Sequence, residues 1–219
     1  MIYIQNLQLG YSIKKWTIKL FFFLLPLFIF LVTIELILRN IPNDYSYKRK
    51  YLDENAEKIE VLFLGNSHVS YDINPAFIQL RSFKASHGSQ TIDYDYMLIE
   101  KYSTRFKNLK YLVIPIDYFT LFTRFSDGWE ENRIKNYNIY YGMHQGFKIS
   151  YYFEILNNKF SANISRIIRF YTNSISHKYC KNLGNSFNDN YPIQKEMIDN
   201  GSFRAFVQHS INNKKFPQA

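Results

Sequence analysis

The strongest pattern along this chain is an apolar run near its start. From Leu20 to Leu38 the positions are almost all hydrophobic, with Pro26, Thr33 and Glu35 as the departures. No polar face appears in Leu20–Leu31, so the run does not have the pattern of an amphipathic helix of a soluble core. It is long enough to cross a bilayer as a helix, and proline is tolerated in such helices. Lys19 and Arg39 flank it, placed to reach the two interfaces, and Trp16 suits the interfacial layer. The run is longer than a usual signal-peptide core, and Arg39-Asn40-Ile41-Pro42 follows it instead of the small residues of a cleavage site. The sequence therefore predicts an N-terminal tail over 1–15 and an uncleaved transmembrane signal anchor over 16–39. That makes a single-pass membrane protein whose partner there is the lipid bilayer. Cations lie on both sides (Lys14, Lys15 and Lys19 before, Arg39, Lys48, Arg49 and Lys50 after), so the positive-inside rule does not decide the orientation. The short tail points to an N-terminus inside and a main domain on the extracytoplasmic face.

Beyond the anchor the pattern changes. Residues 40–57 read as a polar linker opened by the Pro42-Asn43-Asp44 turn signal. Strands are then expected at Ile59–Leu64, Ser82–Ser86 and Tyr111–Ile116. Between them lie a short helix at Pro75–Leu80, opened by Asn74-Pro75, and a longer one at Thr91–Lys107. In the longer helix Ile92, Tyr96, Ile99, Tyr102 and Phe106 share one face, and Asp93 and Asp95 sit favourably in the first turn. This βαβαβ order over 58–122 predicts an α/β fold with a doubly wound, flavodoxin-like parallel sheet. Residues 123–219 read as a helical and irregular region, with Asp127, Glu130 and Glu131 as an acidic patch. Helices are expected at Gly146–Asn157 and Ser161–Tyr171, the second with Ile164, Ile167, Ile168 and Tyr171 as a stripe and Arg166 and Arg169 opposite. They form either a pair packed on the sheet or a lid. Residues 172–219 read as loosely structured.

Composition narrows the function. The 219 residues suffice for one domain of ordinary size. The net charge is +9, but apart from Lys48-Arg49-Lys50 the cations are scattered, so no nucleic-acid partner is expected. The 19 Tyr and 20 Phe are spread throughout and mark a compositional bias more than a stacking platform. Cys180 is a lone cysteine, and His68, His87, His144, His177 and His209 have no metal-ligand spacing. No metal and no cofactor are expected.

Candidate chemistry begins where the apolar run Val61–Leu64 meets Gly65-Asn66-Ser67-His68. In parallel α/β sheets ligands bind at the carboxyl ends of strands. Ser67 there is either a nucleophile, with backbone N–H groups nearby to stabilise an oxyanion, or part of a plain strand-to-loop turn. The turn His87-Gly88-Ser89-Gln90 and Asp117 end the next two strands. In one parallel sheet Ser67, Gly88, Ser89 and Asp117 face one crevice.

Taken together, Val61–Ile78, the His87–Gln90 turn and Leu109–Phe119 resemble the bacterial SGNH/GDSL hydrolases. The resemblance is greatest to the membrane-anchored, extracytoplasmic members of polysaccharide O-acetylation and cell-envelope systems. It implies that Ser67 is the catalytic nucleophile and that Gly88 supplies an oxyanion N–H. Where the family carries a donating asparagine this chain has Asp117, and an ionised carboxylate cannot donate. The family's Asp-x-x-His block is not seen: the residues three before each histidine are Gly65, Lys84, Tyr141, Ser174 and Phe206. Either the chain stops short of that block or it is a non-catalytic relative. His87, in the neighbouring turn, is the candidate substitute base; the His68 ring, next to Ser67, is expected to point elsewhere. Two functions follow as expectations. One is a membrane-anchored serine esterase or O-acyltransferase acting on cell-envelope or extracellular polysaccharide, with an acylated glycan as substrate and polysaccharide-biosynthesis membrane proteins as partners. The other is a non-catalytic membrane-tethered α/β protein that binds glycan or a partner in a polysaccharide assembly machine.

Overall fold

The computed structural model describes residues 2–117, 120–128 and 130–172. The stretch from 173 on, including Cys180, His177 and His209, lies outside them. The described residues divide into two compact units: 2–43 with 132–172, and 44–131.

The first unit is built on one long helix, α1 (Ile2–Asn40). It is long and apolar enough to cross a membrane, the feature the sequence predicts. The helix continues back through the expected tail to Ile2. Phe21, Phe22, Phe23, Phe28 and Phe30 are exposed along its middle. Its last turns differ: Ile34, Leu38 and Ile41 are buried, and Ile155, Ile164, Ile167 and Phe170 pack against them. Three of those four belong to α6 (Phe160–Tyr171), the second of the two expected C-terminal helices. The first, expected over Gly146–Asn157, is only a short 3₁₀ turn at Ile149–Tyr152. A short helix α5 (Ile134–Asn136) runs into a π-helical turn, Tyr137–Tyr141, that Gly142 ends at φ +66°.

Charged groups organise this unit. Glu35 accepts the backbone N–H of Glu154 (3.0 Å) and of Ile155 (2.9 Å). Arg39 donates to Glu35 (2.6 Å) and to the carbonyl of Tyr152 (2.6 Å), so it turns into the fold instead of reaching for an interface alone. Glu154, fully buried, accepts from Lys135 (2.7 Å), Arg166 (2.9 Å) and the Tyr140 hydroxyl (2.7 Å). Arg166 is therefore half-buried in an ion pair and does not form a solvated face with Arg169.

The second unit holds a three-stranded parallel sheet in the order β2-β1-β3. The strands are β1 (Val61–Phe63), β2 (Ser82–Lys84) and β3 (Tyr111–Val113). Each is shorter than expected. Val61 aligns with Ser82 on one side and Tyr111 on the other. The central β1 is buried at every position, as a strand covered on both faces should be, whereas β3 is exposed along its length. The architecture is mixed helix around a small parallel sheet, as α/β requires.

The expected linker is instead mostly helical. α2 (Asp44–Asn55) is rich in charge but buries Lys48 and Leu52, four apart on one face. Tyr51 stacks on Phe83 of β2 at 4.1 Å, and Arg49–Asp53 (3.2 Å) and Lys50–Glu54 (3.9 Å) brace its outer side. α3 (Ser67–Asp72) starts directly at the Ser67 turn, and the helix expected at Pro75–Leu80 is a 3₁₀ turn, Pro75–Phe77. α4 (Ile92–Tyr102) forms as expected but presents a different face: Tyr94, Asp95, Leu98 and Tyr102 are buried, while Tyr96 is exposed.

Burial works against ionisation of Glu154, but Lys135, Tyr140 and Arg166 outweigh it and hold the carboxyl below its ordinary value. The stability it contributes is present above the unfolded-state value and is lost as pH falls through the lower folded-state one. Glu154→Ala leaves Lys135 buried without its partner and is expected to cost the first unit about 3–5 kcal/mol. Melting of the full chain in detergent at neutral pH measures the loss, and the same melts repeated below pH 5 should show the difference from the parent shrinking.

Candidate functional site

The site is assembled at the carboxyl end of β1. Gly65 leaves the strand with φ +104°, a conformation that favours glycine. A Cβ at that position would lie 2.4 Å from Cδ of Pro115, so the space is closed as well. Asn66 caps α3 by accepting the backbone N–H of His68 (3.0 Å), which places Ser67 at the first helical position. Ser67 is half-buried, and among the described residues its hydroxyl has no hydrogen-bond partner.

Beneath the turn lies Asp95. Its Oδ1 accepts the backbone N–H of Gly65 (2.8 Å) and the side-chain amide of Gln90. Burial pushes this carboxyl up to about 6, against the hydrogen bonds from Gln90 and Gly65, which favour its ionised form; nearby Asp93 adds to the rise. Asp95 also explains the rotation of α4. The helix must aim position 95 at the Gly65 turn, so Tyr94 and Leu98 go inward and Tyr96 outward.

Asp117 follows β3 and reaches across to the β1 turn. Its Oδ2 accepts from the Asn66 amide (2.8 Å) and lies 3.1 Å from Nδ1 of His68. Its own backbone N–H donates to the Thr120 hydroxyl (3.0 Å). The structure thus brings the ends of β1 and β3 together. The His68 ring, expected to point away from Ser67, is turned to Asp117. A carboxylate at this distance favours the tautomer that carries its proton on Nδ1.

The β2 end is joined to this turn through backbone and through Asp95, which Gly65 and Gln90 share. His87 donates its N–H to the Gly65 carbonyl (3.2 Å) and receives that of Gln90 (3.1 Å). Its ring is buried and stacked on Tyr45 of α2 at 3.9 Å, with no bond to Ser67. Gly88 and Ser89 form the turn that follows, Ser89 at φ +58°, and no hydrogen bond ties either to Ser67 among the described residues.

Two buried lysines brace the site from below, and neither was recognised from sequence. Lys48 donates to the Ser86 carbonyl, and Lys84 donates to the carbonyls of Ser70 and Ile73, each at 2.7 Å, closing the far end of α3. Lys84 sits in a buried strand, where an unpartnered charge would be costly, and that position was the available signal. Among the described residues no group of three or more His, Cys, Asp or Glu is arranged to hold a metal.

No family model matches this chain, and neither curated proteins nor solved structures provide a match.

Substitutions at two positions test this geometry. Gly65→Ala is expected to destabilise the second unit by about 1–3 kcal/mol from backbone strain alone, with the Pro115 contact adding to it. Denaturant unfolding reads that loss. For Asp95, a raised folded-state value means stability is greatest below the unfolded-state value and falls as pH rises through about 6. Asp95→Asn keeps an acceptor for Gly65 and should flatten that fall, whereas Asp95→Leu orphans the Gly65 N–H and should cost about 1–3 kcal/mol at every pH.

Proposed function

We propose that this chain is a membrane-anchored, SGNH-like serine esterase or O-acyltransferase that acts on cell-envelope or extracellular polysaccharide. The observation that carries the reading is the placement of Ser67. It stands at the carboxyl end of the central strand, half-exposed, with a hydroxyl that makes no hydrogen bond among the described residues. The cap of α3 is supplied by Asn66, so the Ser67 hydroxyl is not needed for it. In this reading Ser67 Oγ attacks an acyl carbonyl and forms an acyl-enzyme as the sugar hydroxyl departs. Water or a second sugar hydroxyl then takes the acyl group. The imidazole beside it, His68, is held at Nδ1 by Asp117, the carboxylate arrangement that orients a general base. The sheet belongs to a doubly wound, flavodoxin-like domain of SGNH type. The anchor is single-pass, and the main domain stands on the extracytoplasmic face, where such glycans are found.

A second reading draws on Asp117 itself. Where the resemblance calls for a donating asparagine, this carboxylate already accepts from Asn66 and His68. That favours a membrane-tethered α/β protein that binds a glycan, or a partner in polysaccharide assembly, without catalysis.

Labelling of the full chain in detergent with a serine-reactive fluorophosphonate separates the two. Catalysis predicts labelling that Ser67→Ala abolishes and that His68→Ala slows by about a hundredfold. A folded parent protein that takes no label removes the esterase reading and leaves the binding one.

A further inference from the structure

The first unit leaves a set of apolar side chains exposed beside the end of α1. Phe153 and Leu156 lie in the segment that Glu35 and Arg39 hold against α1, and Phe160, Ile168 and Tyr171 lie on α6. Phe160 is 49% exposed and Ile168 55% exposed, although Ile164, Ile167 and Phe170 of the same helix are packed against α1. The apolar surface of α6 is thus wider than the face that α1 covers. Lys159 and Arg169 are exposed among these residues.

The level at which this surface sits follows from α1. At 1.5 Å per residue the helix rises about 30 Å between Lys19 and Arg39, the thickness of a bilayer's hydrocarbon core. The packed patch from Ile34 onward occupies roughly the last 9 Å of the helix, where hydrocarbon gives way to headgroups. A helix docked there cannot leave the interface while α1 spans the membrane. Apolar side chains with cations among them are the composition of a helix that lies in that layer.

We propose that α6 and the segment before it form an interfacial collar. Phe153, Leu156, Phe160, Ile168 and Tyr171 enter the acyl–headgroup boundary of the bilayer that α1 crosses, and Lys159 and Arg169 meet anionic headgroups. The occupant of the exposed face is the lipid surface, because α6 is packed on the last turns of the apolar helix that crosses the bilayer, in the same unit. The proposal rests on the membrane-anchor part of the reading above and is independent of any chemistry at Ser67.

Depth-resolved quenching tests it. The full chain in a Cys180→Ser background carries single cysteines in turn, L156C, F160C and I168C, each labelled with an NBD fluorophore. F28C serves as the deep reference within α1. The proteins are reconstituted into vesicles of phosphatidylcholine and phosphatidylglycerol. For all three collar positions the expected result is quenching of at least about two-fold by lipids with a shallow acyl-chain nitroxide, together with protection from aqueous iodide. Quenching by iodide and not by the nitroxide lipids puts the face in water and overturns the proposal. Protection from both quenchers means that a second copy covers the face, which also overturns it. If alkaline carbonate strips the parent protein from the vesicles, the anchor reading fails and the collar fails with it. That outcome is distinguishable because F28C then loses its quenching by deep nitroxide lipids as well.

Discussion

Strands of three residues leave much of the neighbouring backbone without a ladder partner, and in this protein buried charged side chains take up those groups. A buried N–H or carbonyl left unpaired costs as much as a lost hydrogen bond, so the demand is strict. Asp95 takes the N–H of Gly65, Lys84 takes two carbonyls at the end of α3, and Lys48 takes the carbonyl of Ser86. In the other unit Glu35 takes two N–H groups from the segment that reaches α1. The charges are tolerated in the interior because the backbone dipoles that need them are there too.

The candidate site depends on this arrangement. Gly65 must turn out of β1 under Pro115, and Asp95 holds its N–H in that turn. Only then does Asn66 stand where it can both cap α3 and donate to Asp117. Ser67 emerges from a turn fixed on three sides, with its hydroxyl left over. A polar site at the end of a strand needs such rigidity if a hydroxyl is to meet a substrate atom in one geometry.

Part of this was legible in the amino-acid order. The apolar run of α1, the strand at Val61–Phe63 and its turn, and the existence of α4 and α6 follow from periodicity and turn chemistry. Much of what escaped has one cause: charged residues were assigned to solvent. The Lys48-Arg49-Lys50 stretch read as a connector because its charge masks the four-residue spacing of Lys48 and Leu52, which α2 buries. The face of α4 was misjudged because Asp95 counted as polar, although Tyr94 and Leu98 beside it already mark an inward side. Arg166 was placed opposite the apolar stripe of α6, but Glu154, distant in spacing and invisible to helical periodicity, draws it inward. The His68–Asp117 contact joins positions far apart in the chain, and only strand order brings them together. The Gly146–Asn157 helix failed for a local reason, since Gly146 at φ +75° lies so close to the Tyr151 ring that a Cβ would meet it at 2.6 Å.

The role of α1 follows from the same ties. A tether needs only to cross the bilayer, and its sequence beyond the hydrocarbon core is free. Here Ile34, Leu38 and Ile41 form the centre of an apolar cluster, and Glu35 pairs with backbone more than a hundred residues away. Removing the helix would take away the hydrophobic centre of the first unit and leave the N–H groups of Glu154 and Ile155 without their acceptor. The end of a helix long and apolar enough to span a membrane is therefore also a core element of the first unit. A glutamate four residues before an arginine near the end of an apolar helix has the spacing of a simple ion pair. In the folded chain it is the joint between the helix and the unit built on its end.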